Sequence, residues 1–192
     1  MTRPRIGTAT AHLMTAALLP MLLLTGCGET MLDGPQTYSP AEVRQAAENM
    51  RTWPSLETTE QQVTTAIQQI ADSASAINPT LQWQWRRDRN SSGTCSGAYE
   101  DTDGWYVTTQ LLVSDTPIPD TDWPQILQSA TQIARSFGMD QVGVLIDRPG
   151  HHDVSFGSPD GNTLRFATFK TAVLDATTGC RYKQADLDKP HE

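Results

Sequence analysis

Residues 59–77 read TEQQVTTAIQQIADSASAI, with Val63, Ile67, Ile70, Ala74 and Ile77 three or four places apart among Gln, Thr and Ser. Side chains so spaced fall on one side of an α-helix, so the stretch predicts an amphipathic helix with a single apolar stripe. Thr59 reads as its N-cap with Gln62 reaching back, and Asn78-Pro79 ends it. A coiled coil would need sustained heptads with charged flanks, which are absent. The stripe is therefore expected to lie on a sheet that the rest of the chain supplies.

Upstream, Ser39-Pro40-Ala41-Glu42 is a helix start with cap, N1 proline and capping-box glutamate in place. That helix should reach Met50 or Arg51, with Val43, Ala46, Ala47 and Met50 on one face. Downstream, residues 81–88 (LQWQWRRD) alternate Leu81, Trp83 and Trp85 against polar neighbours, which is strand period. Residues 90–98 form a polar loop holding Cys95, and Asp103-Gly104 turns into a second strand over 105–114. Pro117, Pro119 and Pro124 punctuate a crossover into a helix over 123–137, with Asp122 as N-cap and Gly138 at its C-terminal end. Residues 141–147 (QVGVLID) are nearly continuous in apolarity and predict a strand buried in the sheet interior. Strands over 154–157 and 163–175 flank the turn Ser158-Pro159-Asp160-Gly161-Asn162. Along the second of these the apolar residues change face, which predicts a bulge or bend near 167–169. The order is α-α-β-β-α-β-β-β. This is an α+β two-layer sandwich: an antiparallel or mixed sheet of about five strands with helices on one face.

The N-terminus sets the address. Arg3 and Arg5 precede an apolar run that ends Leu24-Thr25-Gly26-Cys27, a secretory signal closing in a lipobox. Its resemblance to bacterial lipoproteins implies cleavage before Cys27 and acylation of that cysteine. Two or three acyl chains anchor stably where one binds only marginally. A membrane-spanning reading needs roughly 20 apolar residues, and this run is shorter and contains Pro20. The expected organisation is a signal peptide over 1–26, a lipidated Cys27 and tether over 27–38, one domain over 39–183 and a polar tail over 184–192. The formal charge is −8, and because the leader carries two arginines and no acid, the chain after it stands at −10. So acidic a chain excludes a nucleic-acid partner and electrostatic docking on anionic headgroups, leaving the lipid as the membrane partner.

Beyond Cys27 only Cys95 and Cys180 remain, and outside the cytoplasm such a pair is expected as a disulfide. A catalytic thiol lacks a base nearby in sequence, and a zinc site would need further ligands. His151-His152-Asp153 has metal-ligand residue types, but alternation turns the two histidines to opposite faces, so a solvated hairpin edge is expected. Arg86, Arg87 and Arg89 form a basic patch for a phosphate or carboxylate, with pairing to nearby acids favoured over it. Trp83, Trp85 and Trp105 are candidates for a sugar-binding platform, against core packing of at least two of them. Asp115, Asp120 and Asp122 on the crossover lack the ligand spacing of a calcium loop. No hydrolase, phosphate-loop or zincin motif is present, so no cofactor, metal or catalytic set is expected.

Several features resemble the LppA-like lipoproteins of mycobacteria and related actinobacteria: the lipobox, the short tether into a capped helix, and the run Ile70-Ala71-Asp72-Ser73. The loop cysteine Cys95, the segment Ile133-Ala134-Arg135-Ser136-Phe137-Gly138, and residues 164–180 with their Phe-Ala-Thr core and Thr-Gly-Cys ending extend it. The resemblance implies a lipid-anchored α+β domain with one disulfide on the outer side of the cell membrane, and it supplies no catalytic set. The expected function is a non-catalytic domain that binds an envelope protein or organises the envelope. The alternative is a carrier or receptor for a small lipid or glycan, and a wall hydrolase comes third.

Overall fold

The computed structural model describes residues 37–189; the leader, Cys27 and residues 28–36 lie outside the described residues, as does the end of the tail. The apolar stripe that opens the sequence argument sits on α2 (Leu56–Ile77), where Val63, Ala66, Ile67, Ile70, Ala71 and Ala74 are all buried. The helix begins earlier than Thr59, with Ser55 as N-cap accepting from the Thr58 N–H at 3.3 Å. The reason is nonlocal. The Leu56 N–H donates to the Tyr182 carbonyl at 2.8 Å and Glu57 accepts from the Gln184 N–H at 2.9 Å, so the C-terminal segment holds the first turn.

Helix α1 (Pro40–Thr52) carries the expected capping box: Glu42 accepts from the Ser39 N–H at 2.7 Å, and the Glu42 N–H donates back to Ser39 Oγ at 3.3 Å. It buries Ala46 and Met50 and packs on a 3-10 turn, Gly97–Tyr99. Helix α3 (Trp123–Ser136) lies beside α2, close enough for Ser73 and Ser129 to share a hydrogen bond at 2.6 Å. Asp122 precedes it without capping it, because its carboxylate accepts from Asn78 Nδ2 at 2.7 Å. Gly138, at φ +79°, closes α3 while the Met139 N–H reaches the Ala134 carbonyl, the glycine C-cap the sequence predicts.

The sheet is antiparallel and has eight strands: β1 (Trp83–Arg86), β2 (Asn90–Ser92), β3 (Tyr106–Thr108), β4 (Leu111–Ser114), β5 (Gln141–Arg148), β6 (His151–Gly157), β7 (Thr163–Thr168) and β8 (Ala172–Thr177). Their order is β1-β4-β8-β7-β6-β5, with β3 joining β2 to β8. Helices α2 and α3 cover one face, and Leu112, Val154, Phe156, Leu164, Phe166 and Leu174 meet them in one core. The α+β class stands, with more strands than the five expected. Residues 105–114 divide at Thr109, whose N–H and hydroxyl both turn to Ala176. Residues 163–175 are two strands, not one bulged strand: the chain reverses at 169–171, where the Phe169 N–H donates to the Thr171 carbonyl at 3.0 Å. The bulge sits instead in β5, between Val144 and Ile146.

The expected burial of 141–147 is overturned. Strand β5 is a sheet edge, with Val142 45%, Val144 64% and Leu145 62% exposed. Unbroken apolarity permits burial on both faces but does not say where in the strand order a segment falls. The disulfide Cys95–Cys180 spans a sequence separation of 85 and ties the loop after β2 to the end of β8, as expected. The polar tail begins in a one-turn helix, α4 (Gln184–Leu187).

Candidate functional site

The three candidate tryptophans do not converge. Trp83 donates its indole N–H to Ser75 Oγ at 3.1 Å and packs against the core. Trp85, two residues on, is 37% exposed in a depression with Glu60 and Arg89. Trp105 lies elsewhere, paired with Arg181 through the backbone and covered by Lys183 Nζ at 3.4 Å from its ring centre. The basic patch is occupied by acids: Arg86 meets Asp115 at 2.6 Å, Arg87 meets Asp175 at 3.4 Å, and Arg89 grips Glu60 with bonds of 2.5 and 2.7 Å.

His151-His152-Asp153 is not a solvated edge. Strand alternation sends His152 to the helix-covered face, where it is 7% exposed and stacks on Trp123 with ring centres 4.7 Å apart. Asp153, 5% exposed on the other face, is covered by Arg165, which donates to it at 2.9 Å through Nε. His152 has a carboxylate at each ring nitrogen: Asp147 at 2.7 Å from Nδ1 and Asp120 at 2.9 Å from Nε2. Asp120 also accepts from the Gly150 N–H at 2.8 Å; that bond first, and His152 second, hold its carboxyl below the usual carboxylate range. Asp115 and Asp122 are engaged separately, and among the described residues no group of three or more His, Cys, Asp or Glu is placed to hold a metal ion.

A different site emerges at the disulfide end. Trp53 follows α1 in extended conformation, Tyr99 ends the 3-10 turn, Tyr106 opens β3, and Asp160 sits in the turn between β6 and β7. With Thr177, Thr178 and the disulfide they line an open groove of ≈ 430 Å³, within the size range of small-ligand sites. Trp53 and Tyr99 are tilted by 33° with centres 6.1 Å apart, giving a curved aromatic floor.

Beneath the groove lies Arg181, fully buried. Its Nη1 donates to the carbonyls of Asp160 and Cys180 at 2.9 and 2.8 Å, and its Nη2 donates to the Asp160 carboxylate and to Asn162 Oδ1. Burial pushes this guanidinium below its ordinary value, and the Asp160 charge opposes the push. Nε has no hydrogen-bond partner; the Trp53 ring, 4.7 Å from the guanidinium carbon, gives the cation an aromatic face instead. Gly179 completes the latch, since a Cβ there would run into the Asp160 carbonyl. Of these residues the cysteines stood out in the sequence, and Asp160 and Asn162 only as members of a turn. The available signals were Arg181 directly after a disulfide cysteine and Trp53 before Pro54 at a helix end.

The groove opens where the chain enters the domain. Gly97, one residue from groove-lining Ser96, lies so close to Tyr38 that a Cβ there would sit 3.5 Å from the Tyr38 hydroxyl.

A family model described as LppA, a lipoprotein confined to pathogenic Mycobacterium, matches residues 33–184. None of the curated proteins matches. Among solved structures, LppA from Mycobacterium tuberculosis superposes with a TM-score of 0.64 at 19% identity, over 78% of this chain and 92% of that one. A DUF4853 family protein from Actinomyces odontolyticus gives 0.49 at 12% identity, over 73% of each chain.

Proposed function

The chain belongs to the LppA family of lipoproteins, and on that footing we propose that it is held on the outer side of the cell membrane by an acylated Cys27 and binds an envelope component without turning it over. The observation that carries the binding half is the aromatic groove, preformed over a buried arginine and a disulfide at the end where the tether joins. Such a floor needs little ordering when a ligand arrives, which lowers the cost of association. No helix among the described residues is long and apolar enough to cross a membrane. Among the described residues His152 is buried and flanked by acids, with both ring nitrogens bonded to carboxylates, so neither is open to a substrate. That favours binding over hydrolysis.

Native mass spectrometry of the protein extracted from its own envelope tests this. The expected spectrum shows diacylglyceryl-modified polypeptide with an additional adduct, lost in Tyr106→Ala. Bare lipidated mass, or an adduct indifferent to that substitution, sinks the groove. Cys27→Ser should move the protein out of the membrane fraction; an unlipidated wild type that still sediments with membranes sinks the anchor.

A second reading, docking of an envelope protein, is favoured by the free edge of β5 with its exposed Val142, Val144 and Leu145. An unpaired strand of this kind accepts an added strand from a partner. Val144→Lys should then abolish capture of that partner and leave groove binding intact.

A further inference from the structure

We infer that the groove takes a neutral pyranose, presented either as a glycolipid headgroup or as free glycan; the inference rests on the groove being the binding site. What lines it decides the chemistry. Three aromatic residues, Trp53, Tyr99 and Tyr106, line it with Thr94, Ser96 and Thr177 and with Asp160, whose carboxylate is already bonded by Ser158, Asn162 and Arg181. Among the described residues no Leu, Ile, Val, Met, Lys or Arg lines it.

The lining removes ligand classes. An acyl chain would cover Thr94, Ser96 and Thr177 without offering their hydroxyls a hydrogen-bond partner. A phosphate or carboxylate needs an exposed cation, and the nearby one, Arg181, is fully buried with its terminal nitrogens committed to Asp160, Asn162 and two carbonyls. The chain after the leader, at −10, repels anions further. A pyranose matches what remains. Its axial C–H face is apolar and lies on an aromatic ring, while its equatorial hydroxyls point sideways to groups that both donate and accept, as Thr and Ser do. The 33° tilt between Trp53 and Tyr99, with ring centres 6.1 Å apart, gives the shallow curved floor that a saccharide face can lie on.

The test uses the full mature lipoprotein in detergent micelles. An array of neutral mono- and disaccharides covering the common pyranose stereochemistries is probed, with glucuronate, choline and inorganic phosphate as controls, and hits are titrated by tryptophan fluorescence. Binding of at least one neutral pyranose is expected, with no response to glucuronate or phosphate. Tyr106→Ala should weaken it by roughly ten-fold or more, the scale of a central aromatic contact. Trp53→Phe, which keeps a ring over Arg181, should weaken it less, and unchanged melting temperatures certify that both variants fold. Vesicles of phosphatidylcholine doped with a glycolipid bearing the hit sugar then separate the sources: tighter binding than to the free sugar assigns the headgroup, equal binding the free glycan. If choline binds and no sugar does, or if the array is silent, the sugar assignment is overturned. An adduct on the native protein with a silent array would overturn the sugar alone and leave the groove standing as the site.

Discussion

The two ends of the sheet repeat one device with different outcomes. At the disulfide end a buried basic side chain, Arg181, lies 4.7 Å under Trp53 at the end of α1 and holds Asp160 of a connecting turn. At the opposite end His152 lies 4.7 Å from Trp123 at the start of α3 and holds Asp120 of the crossover. Guanidinium is always charged and has a fork of donors, so the first latch is permanent. Imidazole offers only two ring nitrogens, one to each of two largely exposed carboxylates, so the second is the weaker latch. The first end is also stapled by Cys95–Cys180 and leaves Trp53 and its neighbours facing open space. At the second, Trp123 is 5% exposed and packs on Phe166, so its ring is spent on the core. A stacked cation and tryptophan are therefore not a site in themselves; what distinguishes the groove is aromatic surface left unused on a rigid base.

The hardest blow to that contrast is Arg181→Ala. It removes the guanidinium's bonds to the Asp160 carboxylate, Asn162 Oδ1 and two carbonyls, leaving the carboxylate to Ser158 and Asn162 Nδ2 and the amide oxygen to the Gly179 N–H. Breaking a buried pair in this way costs about 3–5 kcal/mol. Thermal melting followed by circular dichroism should show a fall of roughly 6–20 °C, since 1 kcal/mol is worth about 2–4 °C at this size. Arg181→Lys should recover little, because an ammonium cannot reach four acceptors in a plane. A melting temperature within a degree or two of wild type would show that the latch is ornamental.

Next comes the staple. Replacing Cys95 and Cys180 by serine reopens a loop of 85 residues, worth up to about 4.5 kcal/mol in the chain-entropy picture and less where the native bond is strained. The melting temperature should fall and groove affinity with it, since Cys95 and Cys180 form part of its wall. Thiol titration of the unreduced protein checks the premise: free thiols there would remove the staple from the account.

How much of this was legible follows from where each signal lives. The α2 stripe, the Ser39 and Glu42 capping box, the Gly138 cap and the 158–162 turn are local, each readable within a few residues. The start of α2 was not, because Tyr182 and Gln184 set it from more than a hundred residues away. Nor was the edge position of β5, since apolarity reports what a strand tolerates and not who its neighbours are. The reversal at 169–171 left a mark, the apolar change of face, which a bulge would equally have produced. The groove was least legible of all: Trp53, Tyr99, Asp160 and Arg181 come from four separate connections, and only the pairing of Cys95 with Cys180 hinted that those connections meet.

The opposite end should answer more gently. His152→Ala removes a ring stacked on Trp123 and frees Asp120 and Asp147, both of which can turn to water, so a loss of about 1–3 kcal/mol is expected in chemical denaturation. A loss as large as that for Arg181 would erase the distinction between the strong and the weak latch.

The finest test is pH. Asp120 keeps its charge to lower pH than an ordinary carboxylate, chiefly because the Gly150 N–H bonds the ionised form and secondly because His152 does. A carboxyl whose folded value lies below its unfolded one stabilises the fold above the unfolded value, and that contribution disappears as pH falls through the folded one. Acidification should therefore loosen the crossover and the β5–β6 turn, and the Gly150 amide, which Asp120 accepts from at 2.8 Å, should lose its protection against hydrogen exchange before amides of the core strands. Asp120→Asn removes the titrating group while keeping an acceptor, so its melting temperature should fall less steeply with acid than that of wild type. Parallel acid limbs for the two proteins would mean that Asp120 is a bystander in the acid response of this end.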